Sequence, residues 1–226
     1  MRIAVSCLAC ALVGGQFTPA VSDHVDRFLQ ATDTPLVSYR AVRQLEAAAR
    51  NGQMRATLTA ITSLDPQTGF QFEVVNESGS SVIRNKVLRA ALEAEQRTRN
   101  SKEGERGALT RVNYDFGPSA VTEQGLVRID IRPRRTDTLL IDGSILLTEQ
   151  QSDLVRIEGR LVKRPSFWTR RVHVVRQYAR VGGVRVPVSM ESTADVLIVG
   201  RSTFSMRYEY QTINASPAGR DGSGFP

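Results

Sequence analysis

Cysteine is almost missing from this chain. Its two copies, Cys7 and Cys10, sit within the first ten residues, so no disulfide and no paired-cysteine zinc site is available beyond them. Histidine is as scarce. His24 and His173 lie far apart, which leaves a metal or Ser-His-Asp site with a single imidazole and distant carboxylates. No phosphate-cradling glycine loop and no nucleophile elbow occurs. The expectation is therefore a protein with no metal, no cofactor and no catalytic centre. Lysine is confined to Lys86, Lys102 and Lys163, so arginine carries nearly all the positive charge behind the net +7. Few lysines and no basic helix argue against nucleic acid as a partner. Nor does any segment after residue 20 have the apolar length to cross a bilayer.

What the first twenty residues do have is export anatomy. Met1-Arg2 is a positive start, Ile3 to Val13 a short apolar run, and Pro19-Ala20 closes a small-residue stretch. Residues 1–20 read as a signal peptide and the product as soluble and periplasmic. Cleavage after Ala20 would leave it without cysteine. Lipid attachment at Cys10 needs a better small-residue box than Cys7-Leu8-Ala9. The remaining length suits one domain, 21–215, able to bury its own core, followed by a disordered glycine- and serine-rich tail, 216–226. Charges spread along solvated strand faces set solubility; the rival reading is attraction to a membrane surface or an acidic partner.

The stretch from Trp168 to Asn214 organises the rest as three long antiparallel strands. Gly182-Gly183 suits a primed hairpin turn, because both positions tolerate positive φ. That turn sets Ala179 opposite Val186, Gln177 opposite Val188 and Val175 opposite Met190. A loop of Gly200, Arg201 and Ser202 then sets Ile198 against Phe204 and Val196 against Met206. Even positions from Val184 to Tyr210 form one apolar face, and the odd positions are polar.

Earlier, Ser22 caps a short helix bearing Val25, Phe28 and Leu29, which Thr34-Pro35 ends. Asn51-Gly52 is a hairpin signal pairing Ala49 with Met54, Ala47 with Ala56 and Leu45 with Leu58. Phe70, Phe72 and Val74 make a third strand. Ser80 to Arg99 reads as a helix with Ile83, Val87, Leu88, Ala91 and Leu92 on one side, followed by a charged, mobile loop to Gly107. Leu139, Ile141, Ile145 and Leu147 keep one parity through Asp142-Gly143. A single strand with a bulge or close approach at Gly143 is expected there, not a hairpin. The fold class is mostly β: a strongly curved antiparallel sheet or unclosed barrel of about ten strands, with two amphipathic helices on its concave face.

Such a surface exposes more apolar area than two modest helices cover, which points to a cavity for a hydrophobic ligand. The expected lining is Leu45, Leu58, Phe72, Ile83, Val87, Leu88, Ile129, Ile141, Ile157, Val188, Met190, Met206 and Tyr208. Two polar residues fall on the same parity. Arg43, between Ala41 and Leu45, must be paired if buried, so it anchors a lid helix or a ligand headgroup, or else snorkels to an edge. His173, opposite Ser192, is either a hydrogen-bonded strand residue or a general base.

The export signal, short first helix, opening hairpin from Tyr39 to Leu64, inserted helix, Gly183-Val184-Arg185-Val186-Pro187 and closing strand Phe204 to Asn214 resemble the LolA/LolB-like outer-membrane lipoprotein carriers. The resemblance is one of topology over residues 22–214. It implies an unclosed barrel with a helical lid over a cavity for acyl chains, and no catalytic residue. Where those carriers have an early Lys/Arg-Pro element, this chain has Asp65-Pro66; its Lys163-Arg164-Pro165 comes much later. The expected function is a monomeric periplasmic carrier of a lipid, acyl chain or other hydrophobic ligand. One alternative is an envelope interaction or sensor module that binds a protein partner. Another is a hydrolase using His173.

Overall fold

The computed structural model describes residues 20–99, 102–163, 169–196 and 200–218. The signal-like segment before residue 20, with Cys7 and Cys10, lies outside them, as do Arg164-Pro165, Trp168, Ile198 and 219–226. Helix α1 (Ala20–Gln30) precedes three strands, β1 (Tyr39–Ala49), β2 (Met54–Asp65) and β3 (Gly69–Gly79). Helix α2 follows in three joined segments, Ser81–Ile83, a π-helical Arg84–Arg89 and Ala90–Arg99. A 3₁₀ turn, Lys102–Gly107, stands where a mobile loop was expected. Then come β4 (Tyr114–Val121), β5 (Leu126–Pro133), β6 (Ile141–Thr148), β7 (Leu154–Leu161), β8 (Thr169–Val181), β9 (Val184–Val196), β10 (Gly200–Ile213) and a two-residue β11 (Ser216–Pro217).

All strands join one antiparallel sheet, ordered β3-β2-β1-β10-β9-β8-β7-β6-β5-β4, with β11 on β10. β4 to β10 form a single meander, and the β1–β3 meander attaches to it through β1·β10. The sheet is curved and unclosed, with β3 and β4 at its edges. The class expected from the sequence is the one observed.

Each helix seals one half of the concave face. Val25 and Phe28 of α1 pack over Val127, Ile129, Ile131, Ile145, Leu147 and Val174. Ile83, Leu88 and Leu92 of α2 pack over Leu45, Ala47, Ala56, Leu58, Ala60 and Met206. A third cluster joins Tyr39, Ala41 and Phe70 to Val181, Val184, Val186 and Ile213.

The Asn51-Gly52 register is as expected, with Arg50, Asn51 and Gly52 all at positive φ. Gly182 and Gly183 turn at φ 57° and 76°, and Ala179 faces Val186. β6 does run through Gly143, which lies against Gly159.

Two registers differ from expectation. Val188 of β9 is left unpaired between Ser189, opposite Gln177, and Pro187, opposite Tyr178; this bulge sets Arg176 opposite Met190 and Val175 opposite Glu191, and the parity of β9 shifts against β8. In the next hairpin β10 already begins at Gly200, and Met206 faces Met190, not Val196. Both residues of each pair are even-numbered, so this slide of six leaves the apolar face intact. The β1–β2 turn lies against the start of β10: Asn51 N–H donates to the Arg201 carbonyl, and its side chain would meet a Cβ at Gly200. After β10, Asn214 and Ala215 turn the chain back at positive φ, and Ser216 and Pro217 pair with Ile213 and Thr212.

Candidate functional site

The pairings align one row of side chains across eight strands of the concave face: Ile129, Ile145, Ile157, Arg176, Met190, Met206, Leu45 and Leu58. Seven are apolar, and the charge of Arg176 stands mid-row. The neighbouring row reads Ile131, Gly143, Gly159, Val174, Ser192, Phe204, Ala47 and Ala56. Its small residues keep the surface low beside Arg176. Beyond it lie Val172, Ala194 and Ser202.

The ends of these rows are packed under the helices, but the middle is not. Val172, Arg176, Tyr178, Met190, Ser192, Ala194, Phe204 and Tyr208 are all half-buried. Met190 touches the rims of both helix-packed clusters. The strip of β8, β9 and β10 between the two helices is therefore the open part of the concave face.

Close to this strip β9 and β10 part. Their pairing stops at Ser189 and Arg207, Pro187 has no N–H to continue it, and β11 takes the β10 edge further on. The resulting cleft, about 550 Å³, is lined by Val181, Val188, Tyr208 and Tyr210 among others, with the Tyr210 hydroxyl donating to the Pro187 carbonyl at 3.0 Å. A second cleft of about 400 Å³ lies between α1, Leu109–Arg111 and Arg185.

Arg43 is fully buried and held by a two-pronged ion pair to Glu95 of α2, at 2.5 and 3.1 Å. Its second nitrogen also donates to the Tyr39 hydroxyl at 2.6 Å, and its guanidinium lies 4.5 Å from the Tyr208 ring centre and 5.1 Å from that of Phe70. Burial pushes the Glu95 carboxyl up, but the hydrogen bonds and charge of Arg43, with Arg99 beside it, hold it down at about 2. Of the roles open to Arg43, the geometry is that of a helix anchor. Glu77 fastens the same helix to β3 through Arg84 and Arg89, at 2.6 and 2.8 Å.

Arg176 has a different setting. Its guanidinium points along the strip to the Met190 sulfur at 3.9 Å and lies beside the Tyr178 hydroxyl, whose influence outweighs burial and keeps it charged. Among the described residues no carboxylate is within ion-pair distance of it.

The expected lining residues divide accordingly. Leu45, Leu58, Ile83, Leu88 and Met206 are core under α2, and Ile129, Ile141 and Ile157 are core under α1. Phe72 sits at the rim of the α2 cluster. Met190 and Tyr208 face the open strip, and Val188 lines the cleft. Val87 is a correction: it is 38% exposed, because the π-helical segment spaces the inward residues Ile83 and Leu88 five apart and rotates Val87 outward. His173 is another. The β9 bulge at Val188 places it, exposed, on the outer face opposite Thr193 and Arg160, away from the concave side.

Arg176 escaped the sequence reading for the same reason. The signal was present in β9, where Pro187 has no N–H for the ladder and stands beside the unpaired Val188. A proline inside a strand marks an edge or a bulge.

Compared by sequence, the chain matches no family profile and no curated protein. Compared by structure, it is similar to a DUF1329 family protein from Desulfovibrio piger, with a TM-score of 0.40 and 10% sequence identity over 85% of this chain and 92% of that one. These matches do not place the chain in a family.

Proposed function

We propose that this protein is a non-enzymatic carrier or binding protein of the cell envelope, exported through its N-terminal segment, whose ligand is a lipid, an acyl chain or another hydrophobic molecule. The observation that supports this reading is the half-buried strip formed by Val172, Met190, Phe204 and Tyr208 between the two helix-sealed halves of the sheet. A contiguous apolar surface left open in a folded domain marks a place where something apolar binds. The ligand lies across β8, β9 and β10, with the adjoining cleft at Tyr208 as its way in or out. The test is mass spectrometry of organic extracts from the purified mature protein, repeated after delipidation and incubation with cell-envelope lipid. Lipid recovered near one per protein is the expected result. Repeated recovery of none would sink the carrier reading and favour a module that binds a protein partner.

A further inference from the structure

Arg43 and Arg176 both reach the concave face of the sheet, and their surroundings differ. Arg43 is neutralised by the two oxygens of Glu95. Arg176 stands in the middle of the apolar row, flanked by Ile157 on β7 and Met190 on β9, with a hydroxyl and a thioether as neighbours. Elsewhere along these strands arginine is routinely paired: Arg156 with Glu158, Arg160 with Asp142, and Arg180 with both Asp33 and Asp153. A guanidinium withdrawn from water beside apolar side chains is costly unless an anion meets it. Its planar fork suits the two oxygens of a carboxylate or phosphate. Beside it the Gly159–Val174–Ser192 part of the neighbouring row leaves the surface low, and Met190 and Phe204 continue the apolar floor.

We propose that Arg176 is the headgroup anchor of this strip, and that the ligand is an anionic amphiphile: a carboxylate or phosphate on Arg176, with its hydrocarbon chain along Met190, Phe204 and Val172. The proposal rests on the carrier reading and narrows it. A neutral lipid would leave the guanidinium unmet, and a free anion would leave the strip uncovered.

The experiment measures binding of dodecanoate, dodecyl phosphate, 1-dodecanol and inorganic phosphate to the delipidated full protein, each amphiphile below its aggregation concentration. The same titrations are run on Arg176→Gln, Arg176→Lys and the control Arg132→Gln, which removes an equal charge from an exposed position on β5. The wild type should bind dodecanoate and dodecyl phosphate at least tenfold more tightly than 1-dodecanol, and inorganic phosphate hardly at all. Arg176→Gln should lose that preference while keeping 1-dodecanol binding, Arg176→Lys should keep part of it, and Arg132→Gln all of it. Equal wild-type affinity for dodecanoate and 1-dodecanol would overturn the anchor and leave the carrier standing; failure to bind any of the chains would overturn both. Phosphate binding as tight as dodecanoate would assign the site to a free anion and overturn the amphiphile. Anion preference surviving in Arg176→Gln would also overturn the proposal. The wild-type comparison decides the matter even where a variant fails to fold.

Discussion

Arg43 and Glu95 are 52 residues apart, yet their side chains meet through two hydrogen bonds and join the middle of β1 to the second half of α2. The arginine side chain is 1% exposed and the carboxylate 21%. Of the ion pairs among the described residues that join the sheet to α2, this one has the most deeply buried arginine.

Removing one partner leaves the other charged in a poorly solvated place. Arg43→Met or Glu95→Leu alone is expected to destabilise the fold by about 3–5 kcal/mol. Changing both together should recover much of that loss, since an apolar pair of similar volume has no charge to leave stranded. Denaturant midpoints of the two single variants and the double variant check this; a double variant as unstable as the sum of the singles would show that the ion pair is not the linking element.

The same pair sets an acid limit. The Glu95 carboxyl titrates at about 2 in the folded protein and near ~4.3 when unfolded. A group whose folded value is depressed contributes its full stability above the unfolded value and loses it as pH falls through the folded one. The stability difference between wild type and the Arg43→Met/Glu95→Leu variant should therefore be constant from pH 7 to about 5, then change in the variant's favour down to about pH 2. A difference that stays flat across that window would contradict the pairing.

Helix α2 offers a direct test of its π-helical segment. A regular helix with the stripe read from the sequence would bury both Val87 and Leu88. In the structure Leu88 is fully buried and Val87 faces outward. Val87→Glu is expected to change stability by less than about 0.5 kcal/mol, and Leu88→Ala to cost about 2–5 kcal/mol. Similar losses at the two positions, measured by thermal or urea unfolding, would return the segment to regular α-helical spacing.

Much of the architecture could be read from the chain because its signals are local. Asn51-Gly52 and Gly182-Gly183 fix turns by their positive φ, and alternation along β1, β2 and β5 assigns the inner face. What escaped were single-residue irregularities. The bulge at Val188 shifts β9 by one residue against β8, moving His173 out and Arg176 in, while another between Leu146 and Leu147 puts Leu154, not Val155, on the core side. The slide of β10 against β9 was invisible for the opposite reason, since an even shift preserves the apolar pattern and leaves periodicity nothing to detect. Arg43 was legible as an interior charge on β1, but its partner was not: Glu95 lies on a helix, and nothing in the spacing says which helix residue will stand above which strand.

Gly143 and Gly159 carry the last test, because the low row beside Arg176 depends on them. They face each other across β6 and β7, and a Cβ added at Gly143 would lie 2.1 Å from the Glu158 carbonyl oxygen and 2.6 Å from the Gly159 Cα. At Gly159, where φ is +155°, it would lie 2.3 Å from the Asp142 carbonyl oxygen. The obstructing atoms are backbone, so no rotamer change relieves them and the two strands must move apart. Gly143→Ala and Gly159→Ala are each expected to cost at least about 2 kcal/mol. Gly125→Ala is the control: it also has positive φ but nothing within 4 Å of the added carbon, so its cost is confined to backbone strain of about 1 kcal/mol. If unfolding midpoints of the three variants fall together, the two glycines are only turn-like positions and the strands are not in close approach. If the paired glycines fall well below Gly125→Ala, hydrogen exchange in β6 and β7 should rise with them, since the ladder linking these strands is what the added carbons force open.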